Sequence, residues 1–241
     1  MKNLLSLAKR NFKETIREPL SLVFCLIFPV LMLLLLTLIF QNFEIVPENF
    51  KITNYANGIC VFGYSFAGLF VALQISADKN SSFIKRINIA PTSKMLYYFS
   101  LVVSALWITI SQTIIFYSIA LIFGYPFNLN LLIGFFYLIP SQVFYISVGV
   151  FIGSVCKNEK QTGPITSIVT TLVGLLGGVF MPISAFKGGF ATFVNILPFS
   201  HTVSIASELL TKGAVCIYPH ILYIVGYTIV IWALIMIFKK E

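Results

Sequence analysis

MLYYFSLVVSALWITISQTIIFYSIALIFGYPFNLNLLIGFFYLIPSQVFYISVGVFIGSVC, Met95 to Cys156, contains no Asp, Glu, Lys or Arg. A bilayer-spanning helix needs about 20 mostly apolar residues, so this run is far too long for one span. It is broken at GYPFNLN (Gly124–Asn130), where Gly, Pro and Asn are turn formers. The stretch therefore reads as two antiparallel membrane helices, Met95–Phe123 and Leu131–Gly153.

Outward from that pair, the same rule finds four more spans. Leu20–Phe40 is uncharged, as is Tyr55 to Ala77, and Thr162–Ile183 and Val215–Phe238 complete a set of six. Only 10% of the 241 residues are charged and 58% are hydrophobic. A soluble domain carries about 25% charged residues, so this composition places the chain in a membrane. The expected fold is all-α and polytopic, one domain over 1–241.

An even number of spans puts both termini on one side, and the positive-inside rule selects it. Of the 16 basic residues, only Lys51, Lys187 and Lys212 fall on the opposite side. The termini are thus expected in the cytoplasm and the chain in the plasma membrane. That bias also explains the net charge of +8. No long polar segment is available to form a basic nucleic-acid surface, and none is expected to bind.

Three connections carry their own structure. NLLSLAKRNFKETIREP (Asn3–Pro19) is amphipathic: Leu5, Ala8, Phe12 and Ile16 follow helical spacing, with Lys9, Arg10, Lys13 and Arg17 mostly opposite. Such a helix, expected over 1–19, lies in the headgroup layer. The run of apolar residues after it is too long for a cleavable signal. The last outer connection, 184–214, is apolar yet broken by glycine and proline. It reads as two short helices, Phe190–Leu197 and Phe199–Leu210, that re-enter the outer leaflet or cap a cavity against protein. The third is ISADKNSSFIKRINIAPTSKM (Ile75–Met95), into which five charges are concentrated. Ser81 or Ser82 can cap a short helix there, and Pro91 ends it by Ala90. Over 81–90, Phe83, Ile84 and Ile87 share one face while Lys85 and Arg86 point elsewhere. This apolar face either rests on the bilayer or fits a partner's groove.

Catalytic signatures are sparse. There is no Gly-Lys dipeptide and hence no P-loop, so any ATP must bind another chain. GYSFAG (Gly63–Gly68) departs from a nucleophile elbow at Ala67; helix packing explains it better than a hydrolase built on Ser65. The spans hold no Asp, Glu, Lys or Arg, which disfavours an ion-coupled carrier. The four cysteines form no C-x-x-C pair, so no metal is expected; a Cys60–Cys216 disulfide remains open. Gly149-x-x-x-Gly153 and Gly174-x-x-x-Gly178 fit the close-packing motif, within the chain or between two copies. Gly177, Gly178 and Pro182 allow the fifth span to bend.

In order and spacing, these features resemble the membrane subunit of an ABC exporter of the type-2 class. AKRNFKETIREPLSLVFCLIFPVLMLLLL (Ala8–Leu36) resembles that family's connecting helix running into its first span. Ile75–Met95 resembles its coupling helix, PTSKMLYYFS (Pro91–Ser100) its turn into the third span, and GGVFMPISAF with NILPFSHTVSIASELL its fifth span and outer helices. Family coupling segments often carry several charges around a glycine, whereas here Asp78 is the only acid and no glycine lies between Gly68 and Gly124.

The resemblance implies a half-transporter that pairs with a second permease subunit, identical or a sister. It implies two cytoplasmic ATPase subunits that bind ATP and Mg2+, with no cofactor on this chain. Phe83, Ile84, Lys85, Arg86 and Ile87 would receive the ATPase stroke. The first, second and fifth spans would line the pathway, and Met181, Pro182, Phe190, Phe199 and His201 would gate its outer end. A lining without charge suits an amphipathic or lipid-like substrate: a drug, an antimicrobial peptide, a lipid or a glycan carrier. A channel or facilitator working without ATP is the alternative.

Overall fold

The computed structural model describes residues 2–43, 51–89, 93–127, 129–180, 186–212 and 214–238. The elements among them are helical throughout. Helix α1 (Lys2–Arg17) leads through Glu18 into α2 (Pro19–Leu22), a π-helical turn (Val23–Ile27) and α3 (Phe28–Gln41), which together form one rod over Pro19–Gln41. Pro19 opens it at a position where its missing N–H costs nothing. Helix α4 (Ile52–Asn80) is followed by the short α5 (Ser82–Ile89), then α6 (Lys94–Ile122) and α7 (Leu129–Val155). Helix α8 (Glu159–Leu176) precedes α9 (Gly188–Ile196), α10 (Pro198–Lys212), a 3-10 turn (Ala214–Ile217) and α11 (Tyr218–Phe238).

Five of these rods are long and apolar enough to cross a bilayer: Pro19–Gln41, Ile52–Asn80, Lys94–Ile122, Ile133–Val155 and Tyr218–Phe238. The break expected at Gly124–Asn130 separates α6 from α7, and Gly124 adopts a positive φ of 93° there. The expected fifth span is shorter than its sequence suggests. Helix α8 has 18 residues, about 27 Å of rise, and stops at Leu176 rather than Ile183. Gly178 takes a φ of 84°, and the Phe180 N–H folds back to the Gly174 carbonyl at 3.3 Å. The glycines that were expected to bend this helix end it instead.

Helix α4 is the centre of the bundle. Within its most apolar window 72% of residues are buried, against 22% for Pro19–Gln41 and 11% for α11. It packs on α6, α7, α8 and α10, while α7 also receives α11. Small residues make this possible. A Cβ on Gly149 of α7 would overlap the Gly68 carbonyl of α4, and one on Gly153 would come within 2.8 Å of the Ala72 carbonyl oxygen. The Gly149/Gly153 pair thus joins two helices of the same chain.

Neutral polar side chains clasp the three inner helices. Tyr64 of α4 meets Thr113 of α6 at 2.7 Å, and Gln142 of α7 donates to Thr113 at 3.1 Å. Tyr117 and Tyr125 both donate to Asn57 Oδ1, at 2.9 and 2.7 Å. Such bonds hold helices together where water is absent. Cys25, Cys60 and Cys156 are buried free thiols and Cys216 is an exposed one, so Cys60 and Cys216 are not bridged.

Candidate functional site

At one end of the bundle α1, the end of α4, α5 and the start of α6 meet. Ser81 builds the entry to α5: its hydroxyl donates to the Asp78 carbonyl at 2.8 Å and accepts from the Phe83 N–H at 3.1 Å. Ser93 similarly caps α6 through the Leu96 N–H at 3.1 Å. Two caps around a proline-containing link keep α5 short and separate from its neighbours.

The centre of this junction is an ion pair. Arg10 of α1 donates to both oxygens of Asp78, at 2.8 and 3.0 Å. Asp78 also accepts from the Tyr97 hydroxyl at 2.6 Å, and Arg10 reaches Glu14 at 2.6 Å. Burial opposes the Arg10 charge, but the hydrogen bonds and carboxylates of Asp78 and Glu14 outweigh it and raise its pKa. The same guanidinium lies 3.5 Å over the Phe83 ring, whose edge meets Tyr97 at 5.9 Å between centroids. Asn11 donates to Ser100 at 2.9 Å, fixing α1 along α6. Helix α5 is therefore wired to α1, α4 and α6 at once.

This geometry changes the expected use of the apolar face. Ile87 is only 5% exposed and Phe83 and Ile84 are half-buried, all packed on the cluster of Ile75, Tyr97 and Leu101. They face the chain's own bundle rather than an outside groove, because the Arg10–Asp78–Tyr97 group draws Phe83 inward. Ile89, at 86% exposure, is the apolar side chain left outward. The side chains of Lys85 and Arg86 lie outside the described residues.

At the opposite end, α10 packs against α4, α7 and α11, while α9 presents Phe190 and Phe193 outward. Phe199 stacks on Tyr145 of α7 (6.4 Å, 11°) and Thr202 meets the Tyr145 hydroxyl at 2.8 Å. His201 Nδ1 lies 2.7 Å from His220 Nδ1 of α11, and its ring stacks on Tyr223 at 4.5 Å. Burial, and then His220, lowers the His201 pKa. Phe199 and His201 are thus brought together as a clasp between α10, α7 and α11. Phe190 stands apart from them, in a ring cluster with Phe186 and Phe193. Met181 and Pro182 lie outside the described residues. Gly174 is packed against Phe180, where a Cβ would come within 2.6 Å of the ring.

Helix α8 buries Thr162, Thr166, Thr170 and Val173 on α4 and leaves the other face open. That open face mixes Ile165, Ile168, Leu172 and Leu175 with Ser167 and Thr171. The Ser65 hydroxyl donates to the Phe62 carbonyl of its own helix at 2.6 Å. Among the described residues no group of three or more His, Cys, Asp or Glu is placed to hold a metal.

Sequence reasoning missed Arg10, Asp78 and Tyr97 as a unit. The available signal was Asp78 itself, the one acid between Glu48 and Glu159, set at the end of an apolar helix. The family model described as ABC-2 type transporter matches residues 2–210. No curated protein matches the chain significantly.

Proposed function

The chain belongs to the ABC-2 type transporter family, and from that premise we propose that it is the permease subunit of an ATP-driven exporter. Family permeases are membrane-spanning domains that work with ATPase subunits. In this reading two ATPases carry ATP and Mg2+ in the cytoplasm, both termini lie on their side of the plasma membrane, and a second permease, identical or a sister, completes the pathway.

The observation that carries the proposal is the junction of α5. A force on α5 reaches α4 and α6 by direct side-chain contact through Phe83, Arg10, Asp78 and Tyr97. Coupling to an ATPase needs such a contact; a passive channel does not. The Phe83–Ile84–Ile87 face holds α5 to the bundle and so transmits the stroke, while the outward side of α5 at Ile89 meets the ATPase. The open face of α8, with hydroxyls among aliphatic side chains, faces the pathway or the second permease; it suits an amphipathic or lipid-like substrate. At the outer end the α10 clasp, with Phe199 and His201, and the aromatic α9 form the gate.

The test is capture of the ATPase by the tagged permease from its native host. Ile89→Asp changes an exposed side chain and should abolish co-purification while leaving the melting temperature unchanged. Undiminished capture by that variant would remove α5 as the docking element.

A further inference from the structure

Helix α1 and α6 enclose an apolar groove of about 490 Å³ on the side of α1 that faces the middle of the span. Leu5, Ala8 and Phe12 form one wall and Val103, Ser104 and Trp107 the other, with Lys9 at the rim. Trp107 is 62% exposed. Val103 to Trp107 lie one to two turns beyond Ser100, where Asn11 anchors α1, and thus deeper along α6 than the anchor. The groove therefore begins at the interfacial helix and runs toward the hydrocarbon.

Lys9 is the one charged side chain among the described residues that line the groove, and it opens a row of exposed cations along α1. Lys9, Lys13 and Arg17 follow at four-residue spacing, which sets them in one exposed stripe along α1. Among the described residues none of the three pairs with a carboxylate; Glu14 and Asp78 are both engaged by Arg10. Like charges at this spacing destabilise a bare helix, and an anion placed along the stripe relieves that repulsion.

We infer that this groove is a binding site for an anionic phospholipid, with one acyl chain between α1 and α6 and the headgroup phosphate on Lys9 and Lys13. The apolar floor takes the chain and the lysine stems reach up to the headgroup layer. The site secures α1, and with it Arg10, against α6. It stands apart from the transporter reading, because it needs only that α1 lies in the interface.

Native mass spectrometry of the purified full chain tests this with phosphatidylglycerol and phosphatidylcholine of equal chain length. The wild type should retain phosphatidylglycerol preferentially. Lys9→Gln and Lys13→Gln should each reduce that preference by about fivefold, whereas Lys187→Gln, an exposed cation at the other end, should leave it unchanged. Val103→Phe fills the groove without altering charge and should remove one retained lipid. Equal retention of the two lipids by the wild type overturns the inference. So does a preference that survives loss of both lysines, one that Lys187→Gln lowers as much as Lys9→Gln does, or full retention by Val103→Phe.

Discussion

Asp78 is 6% exposed and meets a guanidinium and a phenol at once. Removing its charge leaves Arg10 with Glu14 as its one carboxylate partner, beside an apolar ring. Asp78→Asn should cost about 3 kcal/mol, the low end for a broken buried pair because Arg10 keeps about a quarter of its side chain in solvent. Arg10→Met in the same background should recover part of that loss, and melting of the two single variants and the double would read the coupling. Strictly additive effects would dissolve the clamp. His201 behaves oppositely with pH. Its folded pKa is depressed by burial and His220, so the opened form binds more protons below the ordinary value of about 6.5. The α10–α11 clasp is fully stable above that pH and weakens as pH falls through it. The opening equilibrium of α10, read from amide exchange after division by the intrinsic rate at each pH, should grow between pH 7.5 and 5.5 in the wild type, and much less in His201→Gln.

The contact between α4 and α7 rests on glycine. Gly149→Ala drives a methyl into the Gly68 carbonyl, a backbone atom that cannot swing aside. The expected cost is about 1–3 kcal/mol or more, seen as a lower melting temperature in detergent. Gly226→Ala on α11 meets nothing within 4 Å and should be neutral or slightly stabilising; equal effects would remove the close approach. The helices themselves were legible because their apolar runs and capping serines are local signals. The end of α8 was not, since a glycine pair can bend a helix or stop it. The apolar stripe of α1 was legible as a pattern but not as a contact. Ala8 and Phe12 turn to the protein while Leu5 and Ile16 stay largely exposed.

For the whole molecule, the distribution of cations sets a topology that labelling can read. Cys216 is the one exposed thiol of the four cysteines and lies in the 3-10 turn that precedes α11. The expected orientation places it outside the cell. A membrane-impermeant maleimide should label it in intact cells, and a Lys160→Cys, Cys216→Ser variant should react only after permeabilisation. The reverse pattern would invert the chain.

Composition and the charge-free run of Met95–Cys156 were enough to identify a helical membrane protein, and the uneven distribution of 16 cations set an expectation for its sidedness. They suffice because bilayer crossing is set by local hydropathy and length. The same local reading found α5 and its apolar face. Only the tertiary structure decided where that face goes, because its orientation depends on Arg10, 68 residues from Asp78 in sequence and in contact with it in space. It likewise decided that Gly149 and Gly153 serve a contact within the chain, a choice that spacing alone leaves open. Pairing between distant residues is a property of the packed bundle, and no periodicity along the chain encodes it.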